Sequence, residues 1–187
     1  MGIRFGLSYA YVDPQITDFL TEQRMITDVV VKLAGTKGQG VFALRDFSAG
    51  TFLFRRRYGR IIHNRDIPSL TDEEQRHLCE LDWETSAILL PPGCYLNHAC
   101  DPNAMRKGTH VVAWKAIRRG DQITIDYRLN AFTNEECQCS CGSADCSGTF
   151  RLSFFALSAE RQQRYLPYAP AFIQKEYRRR VSESMHQ

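Results

Sequence analysis

The sequence predicts a mainly β domain with a few helices, and three observations support this fold class. Short β-branched runs recur through the middle of the 187-residue chain and are separated by turn residues. Helical patterns are confined to a few segments, most of them near the two ends of the chain. Strands and helices do not alternate as they do around a parallel nucleotide-binding sheet. The chain is therefore expected to form small sheets within one domain.

The N-terminal part is expected to contain one helix followed by short strands. Asp13 and Pro14 are typical of a helix start, and apolar residues then recur on one face. This pattern predicts a short amphipathic helix over residues 14–23. The elements predicted after it are a strand at 28–33, a glycine-rich loop at 35–40, and strands at 41–45 and 51–57.

The next part of the chain begins with a capping-box signature. Thr71 is expected to cap a helix whose third position is Glu74, and the helix is predicted to continue to about Asp82. The Pro-Pro-Gly segment at 91–93 is expected to interrupt regular secondary structure. Residues 137–148 are too rich in Cys, Gly and Ser for regular structure. The later elements predicted are strands at 110–117 and 122–127 and helices at 158–165 and 170–184.

Composition and charge exclude several classes of protein. The formal charge of +3 is mild, so nucleic acid is not expected as a direct ligand. No apolar run approaches the roughly 20 residues that span a bilayer, so no membrane contact is expected. The first residues lack the apolar core of a secretory signal, which favours an intracellular protein, cytoplasmic or nuclear. The sequence does not indicate an oligomeric state.

The cysteines are grouped in a way that favours a metal site. The chain has seven, and four of them lie within ten residues. Cys139, Cys141 and Cys146 are spaced so that they can wrap one tetrahedral zinc ion, which leaves a fourth position open. Cys100 and Cys137 are the two candidates for that position. Disulfides are less expected, because a secreted disulfide scaffold spreads its cysteines through the chain.

Three other segments carry residue types that binding sites use. Tyr95 to Asn103 combines amide, imidazole, thiol and carboxylate groups, which a turn rich in Asn and Pro does not by itself explain. Gly120 to Tyr127, taken alone, is typical of a plain hairpin. Gly38 to Gly40 is typical of a turn, although its glycines also let the backbone approach a ligand. Only the combination of these segments with the cysteines indicates a particular chemistry.

In this order, the four segments resemble the SET-domain protein-lysine methyltransferases, over residues 28 to about 150. Asn97 to Asn103 resembles the family's Asn-His-Ser-Cys-x-Pro-Asn motif, with alanine in place of serine. Gly120 to Tyr127 resembles its Gly-Glu-Glu-Leu-Thr-x-Asp-Tyr motif. The cysteines resemble the post-SET zinc site, whose fourth ligand is the cysteine of the Asn-His motif, so Cys100 is favoured over Cys137. The implied ligands of a structural zinc ion are Cys100, Cys139, Cys141 and Cys146.

The resemblance also implies a fold and a domain organisation. The fold is the β-clip-like SET fold of small curved sheets, in which the C-terminal strand passes beneath a preceding loop as a pseudoknot. The implied parts are an N-terminal helical extension at 1–27, a SET domain at 28–130, a post-SET zinc-binding segment at 131–150, and a C-terminal helical extension at 151–187.

The implied activity is the S-adenosylmethionine-dependent transfer of methyl groups to the ε-amine of a lysine on a protein substrate. Tyr127 matches the family's catalytic tyrosine, which stands beside the methyl that is transferred. The target lysine is implied to enter from the side opposite the cofactor. The residues implied to bind the cofactor are Gly38, Gln39, Gly40, Tyr95, Asn97, His98 and Tyr127.

Some positions depart from the family pattern and leave alternatives open. Cys94 stands where the family often has Arg, and Arg57 to Arg60 replace an acidic stretch. Two alternatives are a SET fold that binds a peptide or cofactor with little or no turnover, and an N-methyltransferase for a small amine. Tyr58 and Trp83 are candidates for a second channel tyrosine or its substitute. Ile125 replaces a common aromatic residue, so more than one methyl is expected to be added.

Overall fold

The computed structural model describes residues 28–185, which form four small sheets and a few helices. This confirms the mainly β prediction, whereas the helix predicted at 14–23 lies outside the described residues. The strands are β1 (Val29–Leu33), β2 (Gln39–Ala43), β3 (Phe52–Arg55), β4 (Tyr58–His63), β5 (Leu78–Glu80), β6 (Thr85–Leu89), β7 (Asn97–His98), β8 (Ala104–Lys107), β9 (His110–Ala113), β10 (Gln122–Ile125), β11 (Glu136–Gln138) and β12 (Thr149–Arg151). The α-helices of this region are α1 (Asp72–Arg76), α2 (Ala159–Tyr165) and α3 (Ala171–Ser184).

One sheet joins segments that are far apart in sequence. Its strand order is β1-β2-β10-β7, and β10 pairs antiparallel with β2 but parallel with β7. Its buried residues Val41 and Ile123 are partners in register and have no exposed surface. Burial of both residues fixes the register, because a shift by one residue would turn each to the opposite face. The sheet therefore holds the Asn-His segment against the strand that precedes Tyr127.

The other three sheets are antiparallel and have the strand orders β3-β9-β8, β4-β6-β5 and β11-β12. The pair β11-β12 encloses the cysteine-rich segment, which has little other regular structure, as predicted. The pseudoknot threading implied by the resemblance stays a prediction. None of the helices in residues 28–185 combines the length and apolar character that crossing a membrane requires.

The helix predicted from Thr71 to about Asp82 begins where expected but ends earlier than predicted. The Thr71 hydroxyl accepts the N–H of Glu74, and the Glu74 carboxylate accepts the N–H of Thr71, so the capping box is present. The helix ends at Arg76, because the residues of β5 form backbone pairs with β6 instead. Tertiary pairing thus overrides the local helical pattern.

Two hydrophobic clusters hold the described part of the chain together. The first packs the sheets β1-β2-β10-β7 and β3-β9-β8 together and includes Val41, Phe54 and Ile123. The second joins Met105 of β8 to residues of the C-terminal segment, among them Phe154, Leu157 and Ile173. Because Met105 and Ile173 are both fully buried, the C-terminal helices share a core with the rest of the fold.

Candidate active site and cysteine cluster

The site is built where β7 and β10 run in parallel. Asn97 is in register with Thr124, and His98 with Ile125. The N–H of Ala99 donates to the carbonyl oxygen of Ile125 at 2.9 Å, which continues the pairing. The Asn-His pair and Tyr127, which lie 29 or more residues apart in sequence, are thereby brought to the same place.

Tyr127 begins a single 3-10 turn immediately after β10. Its hydroxyl donates to the carbonyl oxygen of Leu96 at 2.7 Å. Burial raises the pKa of Tyr127 to about 12, although 37% of the residue's surface remains exposed. The phenol is therefore protonated at neutral pH, and its oxygen keeps lone pairs that can accept a contact from a bound group.

The turn that carries Tyr127 is fixed by a buried ion pair. Asp126 is almost fully buried, and its carboxylate accepts hydrogen bonds from the Nε and Nη2 of Arg128 at 2.8 and 2.6 Å. It also accepts the backbone N–H of Arg128 at 3.0 Å. This bidentate arrangement satisfies both carboxylate oxygens and orients the start of the turn.

His98 connects Tyr127 to the cysteines. Its Nδ1 accepts the backbone N–H of Tyr127 at 3.2 Å, and its Nε2 lies 3.4 Å from the Sγ of Cys100. Its ring stacks on Phe150 with 4.1 Å between centroids. Burial lowers the pKa of His98 to about 4, with Asp126 acting in the opposite direction. The ring is therefore neutral, and because Nδ1 accepts, its single proton is on Nε2 and faces the sulfur.

The glycine loop approaches this pair from β2. Gly38 has φ +73°, a conformation that favours glycine, and the Nδ2 of Asn97 donates to the carbonyl oxygen of Gln39 at 2.9 Å. A Cβ placed on Gly40 would lie 2.4 Å from the Nε2 of Gln122 and 3.1 Å from the Nδ2 of Asn97. The loop is thus a cradle lined by amide groups in which a side chain at position 40 does not fit.

Gln122 is a site residue that the sequence pattern did not single out by itself. Its Nε2 is buried and has no hydrogen-bond partner among the described residues. An unpaired buried donor costs free energy, so the atom is suited to meet an acceptor on a bound molecule. Its neighbour in space, Asn103, accepts the N–H of Thr124 and donates to the carbonyl oxygen of Gln122, which fixes this part of β10.

The four thiols predicted as zinc ligands are brought together by the fold. The Sγ atoms of Cys100, Cys139, Cys141 and Cys146 all lie within 4.8 Å of one another, and those of Cys100 and Cys139 are 3.9 Å apart. Thiolates about 2.3 Å from a tetrahedral zinc ion stand about 3.8 Å apart, so the set fits such an ion. Cys137 does not belong to this group.

Local hydrogen bonds favour the thiolate form of one ligand. Burial by itself raises the pKa of the Cys141 thiol, but hydrogen bonds with the Cys100 N–H and with Ser143 lower it to about 6. The cluster is also tied to α2. Arg161 donates to the carbonyl oxygen of Cys100 at 3.0 Å and forms an ion pair with Asp145, next to Cys146.

A cavity of about 420 Å³ opens beside Tyr127. One part of its wall is formed by Leu96, Ile125 and Tyr127, and other parts come from β5 and from the segment around Leu152. The volume falls in the range of small-molecule and side-chain pockets. The phenol group of Tyr127 therefore stands at the boundary between this cavity and the segment that contains Asn97 and His98.

The structure gathers most, but not all, of the predicted site residues. The side chain of Tyr95 packs against the core and contacts His77 edge to face at 5.5 Å, so its role toward a cofactor stays a prediction. Tyr58 accepts a hydrogen bond from Arg56, and Trp83 packs on Phe132 and Phe172. Neither Tyr58 nor Trp83 is part of the wall around Tyr127 in the described region. The predicted residues that meet are Gly38, Gln39, Gly40, Asn97, His98 and Tyr127.

Comparisons with known proteins agree with this geometry. Residues 38–128 match the family model for the SET domain. The chain is 25% identical over 146 residues to human histone-lysine N-methyltransferase SETD2, covering 68% of this chain. It is 40% identical over 63 residues, or 30% of its length, to histone-lysine N-methyltransferase SET9 of Phaeosphaeria nodorum. The chain spans only 6% and 10% of these two relatives.

A solved structure supports the fold independently. The methyltransferase domain of human histone-lysine N-methyltransferase SETMAR matches with a TM-score of 0.50 and 20% identity. The match covers 66% of this chain and 57% of that one. The region that matches the family model, residues 38–128, contains the parallel pairing of β7 with β10 and the segment that ends at Tyr127. Residues 38–128 of this chain are therefore similar to the SET domain in sequence, and the chain resembles a solved SET methyltransferase domain in fold.

Proposed function

We propose that this protein transfers methyl groups from S-adenosylmethionine to the ε-amine of a lysine on a protein substrate. The observation that carries the proposal is the position of Tyr127, which lines a cavity while its ring lies 5.4 Å from the His98 ring, centroid to centroid. The relatives reported above are named as histone-lysine N-methyltransferases, which supports a protein substrate with a target lysine.

The residues near the glycine loop fit the proposed cofactor. The backbone at Gly40, which packs closely against the amides of Asn97 and Gln122, and the Nε2 of Gln122, which has no hydrogen-bond partner among the described residues, offer polar groups to a bound molecule. Gly38, Gln39, Asn97 and His98 would hold it through their backbone and amide groups. When bound, S-adenosylmethionine supplies an activated methyl group on a positively charged sulfur.

The cavity is suited to prepare the lysine for attack. A lysine with the ordinary pKa of about 10.4 needs about 4 to 5 kcal/mol to lose its proton at pH 7. Leu96 and Ile125 give the wall an apolar part, and desolvation there lowers the pKa of an amine. The neutral oxygen of Tyr127 and the carbonyl oxygen of Leu96 can accept weak contacts from the amine and its methyl groups. The chain thus orients the amine and favours its neutral form.

Ile125 leaves room beside the amine for methyl groups already added. It lines the same cavity as Tyr127, and isoleucine carries no hydroxyl that would hold a water or restrict the amine by a hydrogen bond. We therefore expect the protein to add more than one methyl group to the same lysine.

The cysteine cluster is proposed to hold one zinc ion with a structural role. Four thiolates fill the tetrahedral coordination of zinc, so such a site has no open position for substrate. His98 donates toward the sulfur of Cys100, and a hydrogen bond to a metal ligand helps to orient that ligand. The ion would fix Cys100 and, through His98, the backbone at Tyr127.

The proposal is tested by incubating the protein with labelled S-adenosylmethionine, purified core histones and a panel of other lysine-rich proteins. Mass spectrometry should locate methyl groups on lysine. Tyr127→Phe should lower kcat about a hundredfold while cofactor affinity changes little, because one positioned polar group is lost. Tyr168→Phe, a change of the same kind in the C-terminal core, is the matched control and should keep normal activity.

The alternatives give different results in the same experiments. Calorimetry that detects no S-adenosylmethionine binding would favour an inactive peptide-binding module. Transfer to free amines in preference to any protein would favour a small-amine methyltransferase. Cofactor binding without transfer to any member of the protein panel or to free amines would contradict the proposed activity.

A further inference from the structure

Arg56 is a buried arginine with no ion-pair partner among residues 28–185. Only 2% of its surface is exposed. Its Nη2 donates to the Tyr58 hydroxyl at 2.9 Å, and its Nη1 lies 3.7 Å from the Sγ of Cys79. Its Nε is buried and has no hydrogen-bond partner in that part of the chain. Because the guanidinium of arginine is cationic in proteins, Arg56 is a positive group buried from water with one of its donors unused.

A second arginine converges on the same place. The Nη1 of Arg106 donates to the side-chain oxygen of Asn130 at 2.8 Å and lies 3.9 Å from the Sγ of Cys79. Both guanidinium groups thus approach one sulfur atom. Burial lowers the pKa of Arg106, and the charge of Arg56 lowers it further. Two like charges therefore stand near each other, with a thiol between them instead of a carboxylate.

The nearby carboxylates do not neutralise this pair. Neither Arg56 nor Arg106 has a carboxylate oxygen within ion-pair distance in the described residues. Glu80 and Glu135 line the same cavity, but in the described residues neither carboxylate lies within ion-pair distance of Arg56 or Arg106. Burial raises the pKa of Glu80. A buried charge without a counter-charge costs several kcal/mol, and an anion that enters from solvent would offset part of this cost.

Arg56 also forms part of the cavity wall. Arg56, Cys79 and Asn130 line the cavity that Tyr127 and Ile125 line. A Cβ placed on Gly93 would lie 3.4 Å from the Cγ of Arg56, so the absence of a side chain there leaves room for the arginine stem. The stem of Arg56 is thus packed against Gly93, and a side chain fixed in this way loses little conformational freedom when an anion binds.

From these contacts we infer that the cavity contains a carboxylate-binding subsite formed by Arg56 and Asn130. Its ligand is an acidic side chain of the substrate that lies close in sequence to the target lysine, so one peptide segment fills both parts of the cavity. The inference rests on the proposed function for the identity of the substrate, but the binding of a carboxylate does not depend on methyl transfer.

Binding is tested directly by nuclear magnetic resonance of the arginine Nε–H groups in the full ¹⁵N-labelled chain. Acetate is the probe, acetamide is its neutral counterpart, and sodium chloride controls for ionic strength. The Arg56 Nε–H resonance should shift saturably with acetate only. The matched control within the same spectrum is Arg60, which is exposed and already paired with Glu74 at 2.7 Å, and its resonance should not saturate. An Arg56 resonance that ignores acetate, or responds equally to acetamide, overturns the subsite.

Substrate preference supplies a second readout. In lysine peptides that differ only by Glu or Gln at positions flanking the lysine, the Glu peptide should show a higher kcat/KM by about tenfold to hundredfold, the range of one charge-assisted hydrogen bond. Arg56→Met should remove this preference, and Arg60→Met should keep it. If Arg56→Met does not fold, the wild-type peptide comparison and the acetate titration still decide.

The two proposals fail in different ways. If acetate shifts Arg56 but no lysine is methylated, the carboxylate subsite stands and the proposed activity fails. If peptides are methylated without regard to flanking Glu and acetate has no effect on Arg56, the activity stands and the subsite is refuted.

Discussion

At the scale of single residues, His98 is the side chain whose contacts decide most about the site. One ring nitrogen accepts from the Tyr127 backbone and the other faces the Cys100 sulfur, so a single tautomer serves both. Its stacking on Phe150 encloses the ring from a third side. The ring is thus fixed by contacts with the Tyr127 backbone, Cys100 and Phe150. We expect a substitution at Cys100 or Phe150 to change the position of Tyr127 as well.

The glycine at position 40 gives a sharp prediction at this scale. Gly40→Ala places a methyl group 2.9 Å from the Cβ of Ala34 and closer still to the Gln122 amide, so the loop or Gln122 must move. We expect a loss of about 1 to 3 kcal/mol in the free energy of unfolding, as for other overpacked sites. The affinity for S-adenosylmethionine, measured by calorimetry, should fall about tenfold or more.

The control for this variant is Gly59→Ala. The added methyl would lie 3.2 Å from the Cδ2 atom at the flexible end of the Leu90 side chain. Neither Gly59 nor Leu90 belongs to the glycine loop. It should leave cofactor affinity unchanged. Equal cofactor affinity in Gly40→Ala and the wild-type protein would contradict the cradle described above.

At the scale of elements, α3 docks through one face and exposes the other. Ile173 is fully buried in the second core, whereas 41% of Val181 is exposed. Ile173→Ala should lower the free energy of unfolding by about 2 to 5 kcal/mol, and Val181→Ala should change it by less than about 0.5 kcal/mol. Urea unfolding of both variants measures this. If both variants changed the free energy of unfolding by similarly small amounts, the C-terminal helix would not be part of the cooperatively folding core.

The charged face of α3 predicts a pH dependence. Hydrogen bonds from Arg179 and then Arg180 lower the pKa of Glu176 to about 2, from an ordinary value of 4.5. A carboxyl whose pKa is lower in the folded state stabilises the fold above pH 4.5, and this contribution is lost as the pH falls toward 2. The arginines are half exposed, so the effect is at most about 1 kcal/mol.

A double-mutant cycle with Glu176→Gln and Arg179→Gln isolates this contribution. The coupling free energy from urea unfolding should be favourable at neutral pH and should approach zero as the pH is lowered toward 2. A coupling that is the same at both ends of this range would contradict the assigned ion pair.

The elements also show how far sequence patterns reach. The capping box at Thr71 and Glu74 was predicted correctly, because it depends on residues three apart. The end of that helix was predicted wrongly, because β5 forms only through pairing with β6. The strands β4, β6 and β8 were missed for the same reason. Local sequence patterns thus predicted where helices and turns begin. They did not predict which segments form backbone hydrogen bonds with each other.

The site residues can likewise be divided into those that the sequence predicted and those that it did not. Asn97, His98 and Tyr127 were found because they lie in dense motifs. Gln122 and Arg56 were not singled out, because a glutamine at a strand start and an arginine in a basic run have ordinary surface explanations. Each carries one buried nitrogen, Nε of Arg56 and Nε2 of Gln122, that has no hydrogen-bond partner among the described residues. Such burial depends on residues distant in sequence.

At the scale of the whole molecule, the cysteine cluster joins the SET region to the segment that follows it. We predict that the purified protein contains one zinc ion per chain, measured by atomic emission or by release to a coloured chelator. Cys139→Ser should lose the ion, lower the melting temperature and weaken cofactor binding, because Cys100 and His98 are no longer held. Cys137→Ser, which changes a thiol outside the cluster, should keep one zinc ion and normal cofactor affinity. Retention of zinc by Cys139→Ser would refute the assigned ligand set.

The spacing of the thiols has a consequence for how the chain reaches its native state. Cys100 lies 39 residues before Cys139, so a metal ion bound to both closes a long loop. By the chain-entropy relation used for cross-links, closure of about 40 residues removes roughly 4 kcal/mol of conformational freedom from the unfolded chain. The three late cysteines alone offer an incomplete shell. Full coordination also needs Cys100, which follows β7 directly, so we expect the uptake of metal by refolding protein to accompany the pairing of β7 with β10.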